Sequence, residues 1–120
     1  MIRRLVVLFV FLSGLFAVPH VSSAATITAT WYDLPPGPMA NGKPFNSQNP
    51  AIAAGTETLF GKVLLVTNPN NKKSIIVSVT DRMSKNTRGT HIDLSRAGAI
   101  RLGFLEEGKI PVEIQVLPSR

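Results

Sequence analysis

The chain has 120 residues, thirteen basic and seven acidic, and no cysteine. That length holds one small domain, the missing thiols exclude a disulfide scaffold and cysteine-built zinc or haem sites, and with two histidines neither a metal nor another cofactor is expected. The basic charges are scattered, only Lys72 and Lys73 being adjacent, and one Trp and one Tyr make no aromatic ladder, so nucleic acid is not an expected partner.

Residues 1–24 begin with Arg3 and Arg4. An apolar run from Leu5 to Val18 follows, then Ser22 and Ala24 at the small-residue positions of a cleavage site. This is the pattern of a secretory signal peptide, short for a membrane span of about 20 apolar residues; the alternative is an uncleaved anchor. Cleavage after Ala24 is expected. It leaves 120 − 24 = 96 residues, a monomeric secreted or periplasmic domain over 25–120, with no cysteine to carry a lipid and so no stable membrane anchor. Without Arg3 and Arg4 the balance is 13 − 2 = 11 basic against 7 acidic residues. That surplus is either ordinary solubility charge or an attraction to a polyanion such as an anionic wall polymer.

Thr26 to Tyr32 alternates, with Ile27, Ala29 and Trp31 on one face and Thr28, Thr30 and Tyr32 on the other, which predicts a half-buried strand. Asp33 to Pro50 is dense in Pro, Gly and Asn and predicts a long loop of functional kind. Ala51 to Ala54 is a short apolar strand. Lys62 to Asn68 and Ser74 to Thr80 are strands joined by an Asn-rich turn, hence a hairpin. Asp93 to Gly103 predicts a short helix with Asp93 or Ser95 as its N-cap, Ala97, Ile100 and Arg101 near one face, and Gly103 as its stop. Pro111 to Leu117 alternates and closes the chain as a strand whose first residue is proline. An open sheet of this size would expose its edges, so a closed barrel is the economical architecture.

The stretches ATWYD, ANGKPFN, AIAAGTETLFGKVLLVTN, VSVTDR, IDLSRAGAIRLG and PVEIQVL, in this order and spacing, resemble the rare lipoprotein A family across nearly all of residues 25–120. The resemblance implies an all-β, six-stranded double-psi β-barrel with one short helix. It also implies a lytic transglycosylase, a lyase that cleaves peptidoglycan glycan strands, preferring strands without stem peptides, and leaves 1,6-anhydro ends. Family members usually carry an acidic residue after the Asn-Gly of the long loop and a histidine after the paired alanines. Here those positions hold Lys43 and Gly55, while the aspartate of the Asp-Arg pair is kept as Asp81. The same barrel serves expansins and barwin-like proteins, so the alternative is a non-catalytic module that binds wall polysaccharide. A third class is an inhibitor or interaction protein on a reused barrel.

Lytic cleavage needs one carboxyl group to protonate the leaving oxygen and then to accept the proton of the attacking 6-hydroxyl. Asp81 is the expected catalytic acid/base; a turn residue paired with Arg82, Lys85 or Arg88 is the structural alternative. Trp31 and Tyr32 point to opposite faces, one into the core and one toward a sugar ring. Asn41 shapes a tight turn and is placed to bond sugar hydroxyls, Lys43 to pair with a muramic lactyl carboxylate, and Arg82 to brace loops or contact sugar. His91 lies two residues before Asp93, either as a loop or strand-edge residue or in place of the family's histidine. Asp33 and Glu57 are spare carboxylates that nothing marks as catalytic.

Overall fold

A computed structural model of the chain describes residues 24–83 and 91–118. The expected signal peptide, Lys85 and Arg88 therefore lie outside the described residues, save for Ala24. The strands are β1 (Ala25–Tyr32), β2 (Ile52–Gly55), β3 (Val63–Thr67), β4 (Ser74–Arg82), β5 (His91–Ser95) and β6 (Lys109–Val116), with one helix, α1 (Arg96–Leu102), between β5 and β6. They close into a barrel in the order β1-β5-β2-β4-β3-β6. The pairs β1·β5 and β2·β4 are parallel and the other four are antiparallel. Closure leaves no unpaired sheet edge, which suits a small domain without disulfides.

Alternation sets the inside of the barrel. Ile27 and Ala29 from β1, Leu64 and Val66 from β3, Val77 and Val79 from β4, Ile92 and Leu94 from β5, and Ile110, Val112 and Ile114 from β6 pack with Ala53, Leu102 and Phe104 into one core. Trp31 packs against the same cluster, and its indole N–H donates to Leu105 O at 3.2 Å. A second, smaller cluster lies on the outer face. There Met39 and Phe45 of the long loop cover Ile52 and Tyr32. The long loop is thus folded down on the barrel, and a hairpin within it, bridged at Pro38 and Pro44, holds Asn41 and Gly42 at its tip.

Three sequence expectations change. Residues 91–95 are a strand, not a loop running into a helix. Ile92 and Leu94 are buried at period two, and the ladder with β1 and β2 outweighs the helix-start pattern of Asp93. The cap is Ser95, whose Oγ accepts from Gly98 N, and the helix buries Gly98, Ala99 and Leu102, leaving Ile100 49% exposed. β6 begins at Lys109, so Pro111 is its third residue and pairs with Thr28 at a level where the ladder to β3 has already ended at Glu113. Gly103 takes φ +78 at the helix end, where Asn68 and Asn71 side chains both donate to Leu102 O at 2.9 Å.

Candidate functional site

Strand register assembles a row of side chains on the outer face. Lys109 of β6 pairs with Thr30 of β1, Thr30 with Asp93 of β5, Asp93 with Ala54 of β2, and Ala54 with Asp81 of β4. Asp93 and Asp81 are therefore two strands apart, roughly 9.5 Å between backbones, with only a methyl group between them.

A β-bulge aims Asp81 into this row. Ala53 pairs with Val79 but Ala54 pairs with Asp81, so Thr80 is the extra residue. Val79 faces the core, while both Thr80 and Asp81 reach the outer loop. Thr80 Oγ1 donates to Met39 Sδ at 3.4 Å, and Asp81 Oδ1 accepts from Ala40 N at 2.9 Å. Without the extra residue, alternation would have turned position 81 inward. Arg82 N also donates to Oδ1 at 3.0 Å, and the Tyr32 hydroxyl donates to Oδ2 at 3.4 Å. The Arg82 guanidinium turns elsewhere. Its Nε bonds Glu57 Oε2 at 2.7 Å and its Cζ lies 3.9 Å from the centre of the Phe60 ring, so it braces the β2–β3 connection.

Tyr32 crosses toward Asp81 over strands that present small residues, Ser95 and Ala54, at these levels. Its ring stacks on Phe45 with centroids 4.6 Å apart, which occupies one ring face. Burial, then the charge of Asp81, the hydrogen bond to it, and the charge of Asp93 hold the phenol well above its ordinary value of 10.0. Tyr32 is thus a fixed donor that feels both carboxylates.

At the other aspartate, the Thr30 hydroxyl is close to three acceptors or donors. It donates to Asp93 Oδ1, lies 3.0 Å from His91 Nε2, and is 3.4 Å from Ile92 O.

Of the residues expected from sequence, Asp81 and Tyr32 come together, and Trp31 lies against the core, away from them. The Asn41 side chain accepts from Lys43 N at 2.9 Å, an Asx turn, while Asn41 N donates to Thr80 O at 3.1 Å. Lys43 is exposed just past that tip. At Gly55 a Cβ would stand 2.9 Å from Val79 Cγ1 and 3.2 Å from Leu59 Cβ, so a side chain there would run into the core rather than toward the aspartates. Thr30, expected only as an outward strand residue, and Asp93, expected as a helix cap, are site candidates that the sequence did not mark as such. The alternation of His-Ile-Asp-Leu-Ser was the available signal. A separate hollow of about 430 Å³, lined by Phe60, Gly61, Lys62, Val63, Val116 and Leu117, includes no residue of the row. Among the described residues no group of side chains suited to hold a metal ion occurs, and no helix is long and apolar enough to cross a membrane.

The closed six-stranded barrel, with its parallel β1·β5 and β2·β4 pairs among antiparallel ones, is of the double-psi β-barrel class. The profile of the family described as Lytic transglycolase matches residues 24–114, and the chain belongs to that family, as an RlpA-like double-psi β-barrel. It is similar to a protein of Aquifex aeolicus named probable endolytic peptidoglycan transglycosylase RlpA, at 44% identity over 78 residues, 65% of this chain and 34% of the relative. The chain thus spans about a third of that relative's length. Among solved structures, the Streptomyces papain inhibitor superposes with a TM-score of 0.68 at 23% identity, over 82% of this chain and 97% of that one. An expansin of Clavibacter michiganensis superposes with a TM-score of 0.63 at 24% identity, over 82% and 52%. Both likenesses are of fold.

Proposed function

We propose that this protein is a secreted or periplasmic wall-glycan-cleaving barrel, a lytic transglycosylase acting on peptidoglycan strands after loss of residues 1–24. The observation that carries this reading is the row in which Asp93 and Asp81 flank Ala54 on one outer face. Family membership and the name of the Aquifex relative support the substrate class.

The two aspartates divide the work. Asp81 is the acid/base expected from the sequence, but each of its described partners, Ala40, Arg82 and Tyr32, donates to it, so in this reading it acts instead as a fixed acceptor whose negative charge faces the positive charge that develops at the anomeric carbon. Two of those donors to Asp81 are backbone N–H groups, which can only donate, whereas the described partner of Asp93 is the Thr30 hydroxyl, which can donate or accept. Asp93 therefore carries the proton. It protonates the leaving oxygen as the glycosidic bond breaks, the sugar's 6-hydroxyl oxygen bonds to the anomeric carbon, and the hydroxyl proton returns to Asp93. A 1,6-anhydro end results. Tyr32 keeps Asp81 in place, Asn41 shapes the hairpin tip beside it, and the exposed Lys43 meets acidic groups on the glycan. Arg82 sets the groove wall.

The second reading is a module that grips wall polysaccharide without cutting it. Lys43 favours it, because a cation stands exposed at the loop position where the family resemblance expects an acid. The deciding experiment incubates the protein with purified glycan strands stripped of stem peptides and reads the products by mass spectrometry. Anhydro-ended fragments that disappear in Asp81→Asn and in Asp93→Asn are the expected result. Retained binding with no fragments from the wild type would leave the second reading standing and remove the first.

A further inference from the structure

We infer that His91 is a positioning residue that orients the Thr30 hydroxyl and thereby lets Asp93 both give and take a proton. The inference rests on the assignment of the proton to Asp93 above. Its basis is geometric: Thr30 Oγ1 lies 3.0 Å from His91 Nε2 and is bonded to Asp93 Oδ1, so two side chains share one hydroxyl.

A hydroxyl that serves an aspartate in both protonation states must turn. With Asp93 ionised, Thr30 donates to the carboxylate, and its oxygen is free to accept from a protonated Nε2. When Asp93 holds a proton, the carboxyl O–H donates to Thr30, and the Thr30 proton needs an acceptor. Ile92 O is in reach but long, at 3.4 Å; an unprotonated Nε2 at 3.0 Å is better placed. A neutral imidazole meets both demands by changing which nitrogen carries its proton, with exchange to water at Nδ1. The ring stays neutral throughout, so the cycle closes without a net proton on His91. An imidazolium can only donate. It would hold Thr30 toward Asp93 and keep that group from acting as an acid.

The test uses the full-length protein. Nitrogen-15 spectra of the imidazoles follow the His91 tautomer, its signals identified by their loss in His91→Gln. Asp93→Leu, which takes away the carboxylate that accepts from Thr30, is expected to shift the ring toward an unprotonated Nε2. Thr30→Val is expected to make the ring indifferent to position 93. In the cleavage assay, His91→Leu should lower kcat about tenfold to a hundredfold, part of the 10²–10⁴ that general acid–base catalysis supplies, with little change in KM. His91→Gln, an amide that can present either end, should recover activity to within about tenfold. A ring tautomer identical in wild type and Asp93→Leu overturns the inference whatever the assay gives. A ring that responds as expected in a protein releasing no fragments supports the relay and removes the lytic reading instead.

Discussion

Replacing Gly55 by alanine would place a Cβ 2.9 Å from Val79 Cγ1 and 3.2 Å from Leu59 Cβ. Neither neighbour yields cheaply. Val79 is a β-branched residue in the core, and the Leu59 contact is at its rigid Cβ rather than its far end. Overpacking of this kind costs about 1–3 kcal/mol. The loss of chain entropy in the unfolded state returns roughly 0.4–1 kcal/mol, because Gly55 does not occupy left-handed backbone. The balance is a destabilisation of about 1–2 kcal/mol, which in a domain of this size lowers Tm by roughly 5–15 °C. Thermal unfolding followed by circular dichroism reads it. Val79→Ala, which removes the methyl in the way, should make the double variant more stable than the sum of the single changes by about 1 kcal/mol. Gly55→His, which restores the residue expected from the family resemblance, should be worse than alanine and should not restore or raise cleavage, since its ring would point away from the acidic row. A Tm for Gly55→Ala within about 2 °C of wild type, or above it, would refute this account of why a glycine stands there.

Tyr32 is the sole tyrosine, so the absorbance of tyrosinate follows it directly; its ionisation should begin only well above pH 10. A phenol raised in the folded state contributes stability that is complete below its unfolded value of about 10 and is lost as pH rises toward its folded value. The alkaline loss of stability should accordingly be shallower in Tyr32→Phe than in wild type, as urea midpoints at several pH values would register. Asn68 is 3% exposed, donates to Leu102 O and accepts from Asn70 N. Since Asn71 also donates to that carbonyl, Asn68→Ala leaves mainly the Asn70 N–H unpaired and should cost about 1–2 kcal/mol in urea unfolding. The Arg82–Glu57 pair has side chains 47% and 73% exposed, so Arg82→Ala should change stability by less than about 1 kcal/mol; a larger loss would mean that the stacking on Phe60 carries the connection.

Four of the strands could be read from alternation, because each buries one face more than the other, and β2, buried at all four residues, from its short apolar run. The period of two then survives in the residue order, as in Ile27, Ala29 and Trp31. The helix end was equally plain at Gly103, where the chain needs a left-handed residue. β5 was not legible in the same way. It has only five residues, and its Asp-Leu-Ser ending is also the grammar of a helix start. Pairing on both sides, to β1 and β2, decided between them.

For the site, the sequence by itself determined that Asp81 closes an apolar strand, that Trp31 and Tyr32 face opposite ways, and that a Pro- and Gly-rich loop lies near them. Those facts are local, fixed by period and turn chemistry. Tertiary structure alone decided which residues meet. The bulge at Thr80 turns Asp81 outward, and a bulge is visible only against a partner strand. The parallel pairing of β1 with β5 brings Thr30 beside Asp93 across 63 positions of chain, and β2 sets Ala54 between that aspartate and Asp81. Gly55 reads in sequence as a missing side chain, yet in the folded barrel it is a place where the core leaves no room for one. Side-chain period is a property of neighbours along the chain, whereas register and crowding are properties of strands that the chain brings together only when the barrel closes.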